Sequence, residues 1–293
     1  MRAAKLALVL ALVALTGSIA PASPPPPMMI AHRGGAGLWP ENTLTAFRNA
    51  QDLFDQHSTE GWIELDTQFT SDEILVVIHD ATLDRTTDCT GAVVDHTAAE
   101  VAACDADPDP VEVTPVPTLE QVLTEGAASG WRLVVEIKDI PNEPGFDASC
   151  GALATALADL VATTGFPEDD LIVQSFWPLC LTQLELAAPG IATLLLTSSS
   201  TINDVLGLAT PVPLGFTLLG NAVFATLAGF EYSAPDDGAP DLSALGVTAA
   251  HLLGRRVVVW TVDDQARMQA LAAIGVDGII SDRPDTLLAA FGF

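Results

Sequence analysis

The chain is predicted to fold as a (β/α)8, or TIM, barrel with a small insertion after the second strand. Two observations carry this expectation. Short β-branched or apolar runs alternate with helical patterns, the βαβα order of a parallel sheet. Removal of an N-terminal leader leaves about 271 of the 293 residues, a length that one barrel of roughly 250 residues fills without a second domain.

Residues 1–22 read as a signal peptide. Arg2 and Lys5 form its charged end, Leu6 to Leu15 its apolar region, and Ala20-Pro21-Ala22 its cleavage site. The apolar region is shorter than the roughly 20 residues of a membrane span, so stable membrane insertion is not expected. Residues 23–28 form a Pro-rich spacer, and 29–293 the barrel. The expectation is an exported protein, periplasmic or secreted.

Eight strands are expected: Met28–His32, Trp62–Gln68, Arg132–Lys138, Leu171–Phe176, Ala192–Thr197, Phe230–Ser233, Arg256–Thr261 and Gly278–Ser281. Leu214–Leu218 competes with Phe230–Ser233 for the sixth place. Helices are expected at Thr43–Gln56, Thr118–Ala128, Gly151–Thr163 and Asp264–Ala273, with Thr118 and Gln121 forming a capping box. Residues 69–117 are too many for an ordinary loop. They contain the strand-like run Ile74–Ile78, and as an insertion at the catalytic face they are expected to shape the site.

Mean hydropathy of +0.38 and 49% apolar residues exclude a disordered chain. The formal charge of −27 argues against nucleic acid or an anionic membrane as partner and fits a solvated acidic surface. After leader removal Lys138 is the only lysine left. The four cysteines are either paired, as exported proteins allow, or buried as free thiols. Sequence proximity favours Cys89–Cys104 and Cys150–Cys180.

Strand alternation exposes the chemistry. In Trp62-Ile-Glu-Leu-Asp-Thr, Ile63 and Leu65 face the outer helices while Glu64 and Asp66 face inward. In Leu133-Val-Val-Glu-Ile-Lys138, Glu136 and Lys138 face inward in the same way. Two buried carboxylates need a cation or a proton between them. Three from neighbouring strands make an oxygen-only site suited to Ca²⁺ or Mg²⁺.

His32 and His79 each end an apolar run and are acid/base candidates. Asp80 either orients His79 or caps a turn. The Gly-rich turn after His32-Arg33 leads to a helix start at Asn42/Thr43, a setting that suits an anion such as phosphate. Arg33 and Lys138 are expected to contact that phosphate or to neutralise the carboxylates.

Several segments together resemble the glycerophosphodiester phosphodiesterase family, from residue 29 to about 286. They are His32-Arg33-Gly34 with Pro40-Glu41-Asn42-Thr43, Glu64-Leu65-Asp66, and His79-Asp80-Ala81-Thr82-Leu83-Asp84-Arg85-Thr86-Thr87. Pro117-Thr118-Leu119, Val135-Glu136-Ile137-Lys138, Trp260-Thr261-Val262 and Asp277-Gly278-Ile279-Ile280-Ser281-Asp282-Arg283-Pro284 follow. At Asp263 the family often has Asn.

The resemblance implies a barrel, a divalent metal on Glu64, Asp66 and Glu136, acid/base roles for His32 and His79, and a place for Glu41 in or just outside the metal's ligands. It implies metal-dependent hydrolysis of small glycerophosphodiesters to glycerol 3-phosphate and an alcohol. Trp260, inward if Val257 and Val259 face out, is then either barrel packing or a surface for the glycerol. Two rival readings are a lysophospholipase D-like activity on lipids, for which an apolar stretch at Leu208–Ala228 would serve, and a catalytically silent binder of glycerophosphodiesters or metal. A silent binder is expected to lack one of the histidines or carboxylates, and all five are present.

Overall fold

The computed structural model describes residues 25–107, 113–141, 143–198, 218–239 and 241–293. The leader and most of the competing strand Leu214–Leu218 lie outside these residues.

Eight parallel strands close into a barrel. They are β1 (Met28–Ala31), β2 (Trp62–Phe69), β4 (Leu133–Ile137), β5 (Leu171–Ser175), β6 (Ala192–Thr197), β7 (Tyr232–Pro235), β8 (Arg256–Val259) and β9 (Gly278–Ser281). β1 pairs with β2 on one side, Ala31 opposite Ile63, and with β9 on the other, Ala31 opposite Ser281. This closure brings the first and last strand ends together. β7 lies two residues beyond the expected Phe230–Ser233.

Alternation sorts the side chains as expected. Ile63, Leu65, Leu133, Val135, Ile137, Val257 and Val259 join the buried layer under the helices. Ile30, Val134, Ile172, Leu194, Tyr232, Val258 and Ile280 fill the barrel interior, so the barrel is a packed core with its chemistry confined to the strand C-termini.

The helices around it include α1 (Leu44–Gln56), α3 (Leu119–Ser129), α4 (Gly151–Thr164), α5 (Pro178–Ala187), α6 (Leu218–Ala228), α7 (Ala244–Leu252), α8 (Gln265–Ala273) and α9 (Pro284–Phe291). On α1, Phe47 and Phe54 are fully buried and Thr43 accepts the N–H of Ala46 as N-cap. The capping box of Thr118 and Gln121 opens α3. No helix among the described residues is long and apolar enough to cross a membrane.

Between β2 and α3 the chain forms β3 (Leu75–Val77), antiparallel to β2, and the short helix α2 (Ala98–Val101). A small core of Val76, Ile78, Leu83, Val93, Val101 and Cys104 holds this segment together. Disulfides join Cys89 to Cys104 and Cys150 to Cys180. The first staples the insertion, and the second ties the loop after β4 to α5.

Candidate active site

Glu64 and Asp66 on β2 and Glu136 on β4 are buried at the inner strand ends, with Asp66 in register with Glu136. One oxygen from each lies within 4.8 Å of the others. Asp66 Oδ1 and Glu136 Oε1 are buried and accept no hydrogen bond, although Lys138 Nζ stands 3.2 Å from the latter. Burial and the repulsion of Asp66 and Glu136 push the Glu64 carboxyl well above the usual range. Burial likewise pushes Glu136 up to about 7, against the pull of Lys138. For Asp66 burial is overcome by the charges of Lys138 and Arg33, which help to hold it well below the usual range. Three clustered carboxylates in mutual repulsion, two of them with an orphaned oxygen, fit a hard divalent cation.

Each carboxylate is also held in place. Gln174 Nε2 on β5 donates to Glu64 Oε1 at 2.9 Å, and the backbone N–H of Arg33 donates to Glu64 Oε2 at 2.8 Å. Asn42 grips Asp66 twice. Its Nδ2 donates to Asp66 Oδ2 at 2.9 Å, and its Oδ1 accepts the Asp66 N–H at 3.2 Å. The helix start beside His32-Arg33 therefore serves Asp66 through the Asn42 side chain. Arg33 and Asn42 both have left-handed backbone, with φ of 52° and 59°, which turns them toward β2 from the loop that joins β1 to α1.

The two histidines are built alike. His32 Nδ1 donates to Asp282 Oδ1 at 2.6 Å, and His79 Nδ1 donates to Asp80 Oδ1 at 2.6 Å. An ionised carboxylate only accepts, so both rings carry a proton on Nδ1 and keep Nε2 for the cavity. His32 Nε2 stands 3.9 Å from Glu64 Oε2. His79 Nε2 accepts from Lys138 Nζ at 2.9 Å. Burial and the charges of Lys138 and Arg33 outweigh Asp66 and Asp80 and lower the His79 pKa, which keeps the ring neutral. Burial disfavours the Lys138 ammonium, but Glu136 and Asp66 hold its pKa above the ordinary value.

Both histidines, Arg33, Glu136, Lys138, Gln174 and Trp260 line one cavity of about 90 Å³, closed by Phe176, Leu196 and Ile280. Trp260 is anchored by its Nε1, which donates to Ala234 O at 2.9 Å, and packs edge-to-face on Phe176 at 5.3 Å. It both packs and faces the cavity.

Glu41 stands apart from the three-carboxylate group. Its Oε1 accepts from Arg33 Nη1 at 3.0 Å, and both its oxygens accept from Arg85. Arg85 also grips both oxygens of Asp80. This guanidinium comes from the insertion and helps to hold Asp80 at about 2. It joins the Arg33 side of the site to the His79 side.

Sequence reasoning missed Asp282, Gln174, Asn42 and Arg85. Asp282 follows Ser281, which pairs with Ala31, the residue before His32; barrel closure was the available signal. Gln174 is in register with Glu136 and shares its inward phase. Asp263, where the family often has Asn, accepts from Ser281 Oγ at 2.9 Å and from the Asp282 N–H at 2.8 Å.

A family model described as the glycerophosphoryl diester phosphodiesterase family matches residues 32–286. A glycerophosphodiester phosphodiesterase of Caldanaerobacter subterraneus is 32% identical over 265 residues, covering 89% of this chain and 96% of that protein. A Bacillus altitudinis glycerophosphodiester phosphodiesterase is 30% identical, covering 88% and 95%. Among solved structures, an Oleispira antarctica phosphodiesterase in complex with the product sn-glycerol-3-phosphate superposes with a TM-score of 0.74 at 24% identity, covering 91% of this chain and 97% of that one. That likeness shows the fold. The matched span contains the histidines and carboxylates of the cavity, and the chain belongs to the glycerophosphoryl diester phosphodiesterase family.

Proposed function

We propose that this enzyme uses a divalent cation, Ca²⁺ or Mg²⁺, to hydrolyse small glycerophosphodiesters to glycerol 3-phosphate and an alcohol. The observation that carries the reading is a cavity lined by two carboxylate-oriented imidazoles and by Glu136, which belongs with Glu64 and Asp66 to one group of three buried carboxylates. Glu64, Asp66 and Glu136 would hold the cation, and the cation supplies Lewis-acid polarisation of a phosphoryl oxygen. Arg33 and Lys138 bring positive charge to the phosphate. The nucleophile's proton leaves through one imidazole Nε2, and the departing alkoxide gains a proton from the other. Asp282 and Asp80 hold the two rings in the tautomer that keeps Nε2 free to exchange that proton.

The protein acts after export in this reading. The segment 1–22 is its signal peptide and is removed, and the two disulfides suit an oxidising compartment.

Incubation with glycerophosphocholine tests the activity. Glycerol 3-phosphate release is expected with Ca²⁺ or Mg²⁺, none with chelator, and a loss of at least about 10²-fold for His32→Ala or His79→Ala. Undiminished release by either variant would remove that histidine from the mechanism. No release by the wild type with either cation would overturn the activity.

A further inference from the structure

The amide of Gln174 is only half used. Its Nε2 is fixed on Glu64 Oε1 at 2.9 Å, while its Oε1 is buried and has no hydrogen-bond partner. The residue is 2% exposed and lines the cavity. With Nε2 placed on Glu64, Oε1 is the amide atom left to offer to a ligand. An unpaired buried acceptor is costly to keep and calls for a donor.

Among the described residues Gln174 Oε1 accepts from no protein donor; the other donors of the cavity face elsewhere or serve other groups, Arg33 Nε standing 3.4 Å from Asp66 Oδ2. The histidines carry their protons on Nδ1, against Asp282 and Asp80. The Lys138 ammonium faces His79 and Glu136. A phosphodiester group has no proton to donate either. A hydroxyl elsewhere on the ligand supplies the donor that Oε1 lacks. Phe176, Leu196, Trp260 and Ile280 line the same cavity and suit the carbon backbone that bears such a hydroxyl.

We propose that Gln174 Oε1 accepts a hydrogen bond from a free hydroxyl of the substrate's glycerol, and that this contact selects glycerophosphodiesters over phosphodiesters lacking that hydroxyl. The proposal rests on the activity argued above. A substrate whose glycerol hydroxyls are both acylated leaves Oε1 orphaned and is rejected.

The test compares wild type with Gln174→Met, which keeps the bulk and removes the amide, at saturating Ca²⁺. Calorimetry measures binding of sn-glycerol 3-phosphate and of methyl phosphate, and kinetics compare glycerophosphocholine with bis(4-nitrophenyl) phosphate. The variant is expected to lose about 10- to 100-fold in affinity for glycerol 3-phosphate and in kcat/KM for glycerophosphocholine. Because Gln174 Nε2 also holds Glu64 Oε1, any loss shared with methyl phosphate binding, bis(4-nitrophenyl) phosphate turnover and Ca²⁺ affinity reports Glu64, and the hydroxyl contact is read as the further loss of about 10- to 100-fold by which the glycerol-bearing member of each pair falls below its partner.

Equal losses on both members of each pair would overturn the proposal, because Gln174 would then act only through Glu64. Unchanged glycerol 3-phosphate binding would overturn it as well. Gln174→Asn, which retains an amide on a shorter stem, gives the same comparison if the Met variant does not fold. The binding ratios need no turnover, so a wild type inactive on glycerophosphocholine would refute the activity without deciding the hydroxyl contact.

Discussion

Replacing Asp282 with Asn keeps the shape of the residue that orients His32 and removes its charge. In the native protein Nδ1 of His32 donates to Asp282 Oδ1 at 2.6 Å, a short charge-assisted bond of the stronger kind. Such bonds are worth roughly 1.5–3 kcal/mol net. The Asp282 side chain is 33% exposed, so the lower part of that range applies, about 1.5–2 kcal/mol. At 1.36 kcal/mol per tenfold this is a loss of roughly 10- to 30-fold in kcat. An Asn that turned its Nδ2 toward the ring would force the proton onto Nε2, a tautomer error that costs up to about 10⁴-fold in a buried triad. The loss belongs in kcat, with KM within twofold, because the ring changes charge only as the proton moves. The assay is steady-state release of glycerol 3-phosphate from glycerophosphocholine at saturating cation, with Ca²⁺ affinity measured alongside. A kcat within threefold of wild type, or a loss confined to KM, would refute the claim that Asp282 acts by holding His32.

Two further outcomes test the carboxylates and the disulfides. In the chelated protein the Glu136 carboxyl is raised by burial to about 7, above its unfolded value. A raised acid costs nothing below the unfolded pKa, and its penalty grows until the folded pKa is passed. Thermal unfolding of the chelated protein should therefore show stability falling between about pH 4.5 and pH 7, by on the order of 3 kcal/mol. Saturating Ca²⁺ should reverse this, adding about 2.7 kcal/mol at a hundredfold excess over Kd; a cation-independent, flat profile would remove the metal from the three carboxylates. Reduction should cost roughly 3 kcal/mol for Cys89–Cys104 and somewhat more for Cys150–Cys180, whose partners are 15 and 30 residues apart. An unfolding midpoint that is the same with and without reductant would show that neither bridge matters to stability.

What could be read from the sequence was what one strand or one helix start states about itself. Inward and outward phases on β2 and β4 followed from alternation alone, and with them the grouping of Glu64, Asp66, Glu136 and Lys138. Residues whose roles depend on closure were not readable in this way. Asp282 lies 250 residues from His32, and only the pairing of β9 with β1 puts them side by side. Gln174 has no charge to draw attention, yet its strand phase matches that of Glu136.

Glu41 shows the converse. The family resemblance implied for it a place in or just outside the metal's ligands, and Arg33 and Arg85 claim both its oxygens. Arg85 could not be foreseen because the insertion that carries it has no periodic pattern to fix its direction. The same guanidinium grips Asp80, which orients His79, and Glu41, which holds Arg33. The insertion therefore reaches both the Arg33 side and the His79 side of the site through one side chain. The first two residues after β1 need the last strand for His32, the insertion for Arg33 by way of Glu41, and β2 for the Arg33 N–H. The site is a property of the closed barrel, and its local motifs acquire their chemistry only when β9 and the insertion are in place.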